Sequence, residues 1–151
     1  MKAGKLKMCL YNIRMKSSCL KPEACLLVNK QGEIIASGYT DSIRNCRSNG
    51  QCYISKFSDK SIIKCIKTSA ESECTSEVEY LKSINYFKPT QYAAICTSVP
   101  SLFDISQLIN LGVEEIFYID GKIPESVNKI ESAKNKLKKW EFNDNDDFKF
   151  R

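Results

Sequence analysis

The sequence predicts an α/β domain in which a mixed five-stranded sheet is covered by helices on both faces. Segments with apolar residues at helical spacing alternate with short apolar segments that are typical of strands. The first two strands are separated by a short turn, which indicates an antiparallel hairpin. The chain has 151 residues, 42% apolar and 27% charged, which is enough apolar material for one core and too little charge for a disordered chain.

The first part of the chain predicts a helix followed by the hairpin. A helix opens the chain, because apolar side chains recur there at helical spacing: Leu6, Cys9, Leu10 and Ile13. Residues 24–28 form the first strand, Gly32 lies in the turn, and residues 33–37 form the second strand. Residues 40–67 are polar, so we expect a long insertion loop, which in a compact domain is usually functional or mobile.

Helices and strands then alternate. The second helix is marked by Cys74, Val78, Leu81 and Ile84, with Glu77 at the margin of the apolar face. Residues 92–97 form a buried strand. The third helix directs Leu102, Ile105, Leu108 and Ile109 inward and ends at Gly112. This alternation favours a largely parallel sheet beyond the hairpin.

The last part of the chain predicts one more strand, helix and strand. Residues 113–119 form a strand, and Pro124 begins a fourth helix. One face of that helix carries Val127, Ile130, Ala133 and Leu137. Residues 140–142 form a final strand. We therefore expect one domain over residues 1–142 and an acidic, polar tail over residues 143–151.

The composition excludes several classes of protein. No apolar run is long enough to span a membrane, and no signal peptide opens the chain, so we expect a cytoplasmic protein. The net charge of +5 is scattered and does not by itself indicate a nucleic-acid-binding surface. The chain has eight cysteines and no histidine, which excludes any mechanism that needs an imidazole as base or zinc ligand.

The cysteines fall into two groups, and none shows the C-x-x-C spacing of a zinc ribbon or redox centre. Cys9, Cys25 and Cys96 lie within apolar patterns, which favours small buried side chains. Cys46, Cys52 and Cys65 lie in the polar insertion, where they could hold a metal or oxidise together.

Several segments together resemble the cytidine and deoxycytidylate (dCMP) deaminase superfamily, most closely its dCMP deaminase branch. The resemblance covers roughly residues 6–142. Residues 34–39 (IIASGY) resemble the strand that ends in Gly-Tyr-Asn, and residues 46–52 occupy the place of a cysteine-containing insertion. Residues 75–81 (TSEVEYL) resemble His-Ala-Glu-x-Asn-Ala-Leu. Residues 97–104 (TSVPSLFD) resemble the Pro-Cys-x-x-Cys segment, and residues 111–118 (LGVEEIFY) resemble the one that follows it.

The resemblance implies a three-layer α/β/α cytidine-deaminase-like fold and a catalytic zinc held by one His and two Cys, with a Glu that moves protons. In this sequence the ligand positions hold Thr75, Ser101 and Asp104, so all three zinc ligands are replaced. Glu77 stands at the proton-shuttle position, and Thr40 replaces the Asn that would hold the sugar. We therefore expect no zinc at this site.

The register of this alignment has an alternative, in which Ala70-Glu71 match the Ala-Glu pair. We set it aside because it places Thr75 where an apolar helix residue belongs. Ser101 and Asp104 also fit a helix-capping motif, which needs no ligand. A shifted zinc site from Cys65, Cys74 and Cys96 would need movement at every ligand. The resemblance also implies a separate structural zinc site, which members of the dCMP branch can carry and which would use Cys46 and Cys52 with Cys19 or Cys65.

The resemblance leaves three hypotheses about function. The first is a zinc-free pseudoenzyme with a ligand pocket formed by Thr40, Thr75, Glu77, Ser101 and Asp104. Such a protein would sense a nucleotide, regulate a partner or form a homo- or hetero-oligomer with a deaminase-fold subunit. The second is an active cytidine or deoxycytidine nucleotide deaminase with a rebuilt metal site. The third is a non-catalytic nucleic-acid-binding module, against which the loops show no interleaved Arg and aromatic residues.

Overall fold

The computed structural model describes residues 1–42, 67–84 and 91–150. The strands are β1 (Ala24–Val28), β2 (Ile34–Tyr39), β3 (Asp41–Ser42), β4 (Lys67–Thr68), β5 (Tyr92–Ser98), β6 (Val113–Asp120) and β7 (Leu137–Lys139). A five-stranded sheet has the order β2-β1-β5-β6-β7, and β3 and β4 form a separate two-stranded sheet. The described helices are α1 (Ala3–Arg14), α2 (Ala70–Ser83), α3 (Leu102–Leu111), α4 (Glu125–Asn128) and α5 (Glu131–Lys134). None of these helices has the length and apolar character needed to cross a bilayer.

The pairing of the strands confirms the predicted mixed sheet. β1 lies antiparallel to β2 on one side and antiparallel to β5 on the other. β5, β6 and β7 are parallel, and α3 provides the crossover from β5 to β6. The expected hairpin is therefore present, and it joins the parallel part of the sheet through β1.

The central sheet has a core on each face, as the sequence predicts. Successive side chains of a strand point to opposite faces, so Cys25 and Leu27 join one core while Leu26 and Val28 join the other. The first core includes Val78 of α2 and residues of α3, and the second includes residues of α1. The sheet is thus enclosed between α2 and α3 on one face and α1 on the other.

The predicted fourth helix and final strand are wrong in detail. The chain forms two short helices, because Ile130 between them has an extended backbone at φ −101° and ψ 102°. Leu137 belongs to β7, where it pairs with Ile116 and is buried against the sheet. Residues 140–142 are not a strand. An apolar spacing that fits one helix also fits two helical turns followed by a strand, and the sheet edge decides the outcome.

The predicted insertion loop begins and ends in a short ladder. Asp41 pairs with Thr68 and Ser42 with Lys67 in antiparallel register. These pairs bring the two ends of the segment together beside the end of β2. Residues 43–66, which include Cys46, Cys52 and Cys65, lie outside the described residues.

The segment that we expected to be a polar tail packs against the sheet. Phe148 is 3% exposed, and its ring centroid lies 5.5 Å from that of Phe117 and 5.8 Å from that of Trp140. The Phe148 amide donates to the carbonyl of Met1 at 3.0 Å. Aromatic burial therefore fixes this segment beside α1, despite its acidic composition.

Truncation of Phe148 should destabilise the whole domain. We expect Phe148→Ala to lower the free energy of unfolding by about 3 kcal/mol, because it removes a buried ring from an aromatic cluster. Urea unfolding followed by tryptophan fluorescence measures the effect. The matched control is Phe103→Ala, since Phe103 is 68% exposed and its loss should change stability by no more than about 0.5 kcal/mol. Equal effects of the two substitutions would contradict the packing of Phe148 in the aromatic cluster.

Candidate functional site

A cavity of about 260 Å³ opens at the carboxyl end of β5. Its lining residues are Glu23, Thr40, Ser69, Glu71, Pro100, Ser101 and Asp104. Glu23 precedes β1 and Thr40 follows β2, so the open end of the hairpin forms one wall. Ser69 and Ser101 precede α2 and α3, so two helix N-termini form the opposite wall. The carboxyl ends of strands are where open α/β sheets commonly bind ligands.

Two serines fix where the helices begin. Ser69 is the N-cap of α2, and its hydroxyl accepts from the Ser72 amide at 3.1 Å. Ser101 is the N-cap of α3, and its hydroxyl accepts from the Asp104 amide at 3.2 Å. Each cap satisfies a backbone donor that has no partner within the helix. The predicted capping role of Ser101 is confirmed.

The Asp104 carboxylate joins the two helix ends. Ser69 donates its hydroxyl to Oδ1 of Asp104 at 2.8 Å, and Ser101 donates to Oδ2 at 2.8 Å. Ser72 adds a longer contact to Oδ1 at 3.4 Å. Hydrogen bonds to an ionised acceptor are stronger than those between neutral groups. Both carboxylate oxygens are therefore engaged, and the side chains of Ser69, Ser101 and Asp104 form one hydrogen-bonded group.

Close packing of the first turn of α2 on the hairpin places Glu71 in the cavity. A Cβ atom on Gly38 of β2 would collide with the carbonyl oxygen of Ala70 and would lie 2.8 Å from Cβ of Glu73. Glycine at this position lets α2 begin directly on the sheet. Glu73 reinforces the contact, since its carboxylate accepts from the Tyr39 amide at 3.2 Å.

Glu71 is a buried carboxyl group in an acidic surrounding. The residue is 3% exposed. Burial raises the pKa of Glu71 from its usual 4.5 to about 8, and the negative charges of Asp104 and Glu23 add to the rise, whereas its own backbone amide and the Cys96 thiol lower the pKa. Glu71 consequently carries a proton at neutral pH.

The hairpin side of the cavity is held by hydrogen bonds as well. Ser98 donates its hydroxyl to Oε1 of Glu23 at 2.6 Å. The Thr40 hydroxyl accepts from the Glu23 amide at 3.0 Å, and its backbone amide donates to the Glu23 carbonyl at 2.9 Å. Ser17 bonds to both the carbonyl and the hydroxyl of Thr40. Thr40 is buried and fixed at the cavity wall, where the sequence predicted a pocket residue.

Thr75 and Glu77 do not reach this cavity, although we expected them to line it with Thr40, Ser101 and Asp104. Thr75 is buried one turn along α2, donates its hydroxyl to the Glu71 carbonyl at 2.9 Å and lines another cavity between α2 and α3. Glu77 is exposed and accepts from the Ser37 amide at 3.4 Å. Glu71 rather than Glu77 therefore lines the cavity with Thr40, Ser101 and Asp104.

Thr75 can occupy a buried position of α2 because its hydroxyl finds a partner within the helix. We rejected the register because a polar residue at Thr75 would face the core, but a Thr hydroxyl can bond the carbonyl four residues earlier and remain satisfied. The pocket that we predicted from the sequence did not include Glu23, Ser69 and Glu71, although all three line the cavity. The sequence does carry a usable signal, since Ser69 followed by Glu71 and Glu73 is typical of a helix N-terminus.

Three cysteine thiols lie in the core on the face of the sheet covered by α2. Cys25, Cys74 and Cys96 are fully buried, and the sulfurs of Cys25 and Cys96 are 3.7 Å apart. The contact with Cys74 raises the pKa of Cys25, and the contact with Cys25 together with burial raises that of Cys96. These residues pack as apolar groups, as we predicted for Cys25 and Cys96, while Cys9 is half-buried.

Within residues 1–42, 67–84 and 91–150, no three Cys, Asp or Glu side chains are grouped so that they could hold a metal ion. Cys19 is buried and free. The other three residues of the predicted structural zinc site lie outside the described residues, so that prediction stays a prediction.

Solved structures of like fold include those of an enzyme from a bacterial virus. The crystal structure of apo dCMP deaminase from cyanophage S-TIM5 matches with a TM-score of 0.61 and 16% sequence identity, over 93% of this chain and 100% of that chain. The structure of that enzyme in complex with dCMP and dUMP matches with a TM-score of 0.58 and 14% identity, over 93% and 99% of the two chains. No protein-family model matches the chain, and no curated protein matches it in sequence. The likeness establishes a dCMP-deaminase-like fold.

The protonated state of Glu71 predicts a pH-dependent stability. Between pH 4.5 and about 8 the folded protein holds a proton that unfolded Glu71 has released. Stability attributable to Glu71 should therefore fall as the pH rises through this window, by at most about 1.4 kcal/mol per pH unit. Glu71→Gln removes the titration, so its stability relative to wild type should increase from pH 5 to pH 8 in urea unfolding.

The matched control is Glu77→Gln, which makes the same change on an exposed face of the same helix. The stability difference from wild type should depend more strongly on pH for Glu71→Gln than for Glu77→Gln. Equal pH dependence of the two variants would contradict the raised pKa of Glu71.

Proposed function

We propose that this protein is a zinc-free counterpart of the dCMP deaminases that has lost the deamination reaction and acts as a regulatory protein. It would sense a nucleotide in the cavity or serve as the non-catalytic subunit of an assembly with a deaminase-fold partner. The observation that carries the proposal is the Asp104 carboxylate accepting from Ser69 and Ser101 at 2.8 Å each. Because the fold is like that of a dCMP deaminase, the residues of this cavity can be compared with the zinc-ligand positions of that family.

The three residues coincide with the positions where the family resemblance expects zinc ligands. With Ala70-Glu71 matched to the Ala-Glu pair, Ser69 stands at the His position, and Ser101 and Asp104 stand at the two Cys positions. Their convergence around one carboxylate supports this alignment, because ligands of one metal ion must also meet at a point. Glu71 then stands at the proton-shuttle position in place of Glu77.

The chemistry of this donor set does not fit zinc. Zinc sites in proteins use thiolates, imidazoles and carboxylates, and only Asp104 is of that kind. The two serine hydroxyls are neutral, and they donate their protons to Asp104, so their arrangement is that of donors to an anion. Both oxygens of Asp104 are already used. No step of a zinc-dependent reaction is therefore assigned to this site.

The cavity itself supports a ligand-binding role. It remains open at the carboxyl end of β5, between Thr40 on the hairpin and the two helix N-termini, although the ligand set is replaced. The cyanophage enzyme of like fold is described in complex with dCMP and dUMP. A volume of about 260 Å³ is below the roughly 300 Å³ at which drug-sized ligand sites begin, so the cavity suits one ring or head group of a larger ligand.

The proposal predicts neither catalysis nor a zinc ion bound at Asp104. Protein purified from zinc-supplemented cultures should not convert dCMP, dCTP or cytidine into dUMP, dUTP or uridine in a chromatographic assay. Any zinc found by elemental analysis should be unchanged by Asp104→Ala, because cysteines elsewhere would hold it. Turnover of dCMP together with zinc that is lost in Asp104→Ala would overturn the proposal.

A rebuilt site gives a converse test. Combining Ser69→His, Ser101→Cys and Asp104→Cys should add about one zinc ion per chain relative to the parent protein, since three ligands of the right kind then converge. The matched control carries Thr75→His instead of Ser69→His, together with Ser101→Cys and Asp104→Cys. Equal zinc uptake by both triple variants would contradict the assignment of Ser69, provided that circular dichroism shows both to be folded.

A further inference from the structure

Helix α1 carries a basic surface with exposed methionines. Residues 1–22 contain five lysines and one arginine but no Asp or Glu. Met8 within the helix is 61% exposed, and Met15 at its end is 67% exposed. Lys5 and Lys16 are exposed on the same side of the helix, and with the two methionines they form what we call the α1 surface. Methionine is frequent on surfaces that bind proteins, because its flexible thioether adapts to different partners.

The positive charge of the α1 surface is not compensated by neighbouring carboxylates. Lys2, just before the helix, pairs with Asp147 of the C-terminal segment at 3.1 Å. Among the described residues, neither Lys5 nor Lys16 has a carboxylate within ion-pair distance. The α1 surface therefore attracts an acidic partner.

The opposite side of the domain carries the complementary features. α2 contains four glutamates and one lysine, and of these Glu77 and Glu79 are exposed. Tyr80 is 63% exposed, and Ile84 at the end of the helix is 50% exposed. We call these four residues the α2 surface. Because α1 and α2 pack on different faces of the sheet, the two surfaces cannot meet within one chain.

We propose that the α1 surface of one copy of this chain docks on the α2 surface of a second copy. The lysines of one surface face the glutamates of the other, and the exposed apolar side chains of both are removed from water together. A thioether packs favourably against an aromatic ring, so we expect Met8 or Met15 to contact Tyr80 of the second copy. Neither surface contains a residue that lines the cavity, so the inference goes beyond the proposed function and does not depend on it.

The contact joins two different surfaces, which determines how the copies assemble. A pair of copies keeps one free α1 surface and one free α2 surface, and these lie on opposite sides of each domain, so further copies add in an open row. α1 has 12 residues and α2 has 14, so the helices are about 18 and 21 Å long. Two helices of this length bury less than the roughly 800 Å² per partner of a standard interface, so the association is weak and reversible.

Sedimentation of the wild-type protein tests the association itself. At low ionic strength the average mass should rise steadily between micromolar and millimolar concentration, without stopping at a dimer. Sodium chloride at about 1 M should return the protein to the monomer, because the screening length is then only about 3 Å. A monomer at millimolar concentration, a mass that stops at the dimer, or an association unaffected by salt would each overturn the inference.

Charge reversal assigns the association to the two surfaces. Lys5→Glu with Lys16→Glu makes the α1 surface acidic, and Glu77→Lys with Glu79→Lys makes the α2 surface basic. Each variant alone should associate at least about tenfold more weakly than wild type, because like charges then face each other. An equimolar mixture of the two should associate like wild type, since each reversed surface finds its complement. Unchanged association of either variant alone, or a mixture that stays monomeric, would overturn the inference.

The matched control for the α1 variant is Lys129→Glu with Lys134→Glu. Both lysines are exposed and lie outside the two surfaces, and the change in net charge is the same. The control should associate like wild type, and a loss equal to that of the α1 variant would attribute the effect to net charge and overturn the inference. If a charge variant does not fold by circular dichroism, the concentration and salt series on the wild type decides.

Two further probes test the other anionic partners of a basic helix, namely vesicles containing phosphatidylserine and a single-stranded oligonucleotide. Wild-type protein that stays monomeric but binds either probe, with loss of binding in Lys5→Glu with Lys16→Glu, would give the α1 surface another partner and overturn the inference. The metal and turnover assays on the same samples test the proposed function separately. Metal-free, inactive protein that stays monomeric contradicts only this inference.

Discussion

The site depends on one electrostatic arrangement, in which the Asp104 carboxylate lies between the N-termini of α2 and α3 and accepts from Ser69 and Ser101. Each helix N-terminus carries a partial positive charge and unpaired backbone donors. Two such ends directed at one place repel each other unless an anion lies between them. Asp104 provides that anion from within α3, while the two serines satisfy the backbone donors. This arrangement sets where both helices begin, and the first turn of α2 then sets where Glu71 lies.

The position of Glu71 follows from that constraint and carries a free-energy cost. With α2 starting directly on Gly38, the second residue of the helix is directed into the cavity beside Asp104. Burial and the neighbouring negative charge then favour the protonated form of its carboxyl group. Around it the sheet is filled by small buried thiols and aliphatic side chains that offer no compensating charge. The core on this face is otherwise formed mainly by apolar side chains, so the domain can remain stable with this unfavourable group and with the Tyr92 hydroxyl, which is unpaired among the described residues.

Most of the fold could be predicted from apolar periodicity, because α1, α2, α3 and the hairpin each bury one continuous face or strand. Periodicity failed after Pro124, because the same apolar spacing fits one long helix and also two short helices followed by a strand. The second arrangement forms because Leu137 pairs with β6 at the edge of the sheet. It also failed along α2, because apolar spacing fixes a helix face and leaves the starting residue open. The start is decided by capping at Ser69 and by the hydroxyl of Thr75 bonding back to Glu71. Thr75 and Glu77 therefore lie away from the cavity, whereas Ser101 and Asp104, which follow the end of β5, line it.

In the zinc-free function that we propose, the residues at the three ligand positions form a self-consistent set. Exchange of one zinc ligand alone would leave two thiolates, or an imidazole and a thiolate, buried without their metal, which is unfavourable. Ser69, Ser101 and Asp104 instead hydrogen-bond to one another, so the junction between the helices is satisfied without an ion. Among the carboxyl groups that line the cavity, Glu71 is the one outside this bonding and outside the contact between Glu23 and Ser98. A glutamine or an apolar side chain would fit the same space without the cost of a buried acid. A local departure of this kind, in an otherwise consistent structure, is where a binding function is to be expected.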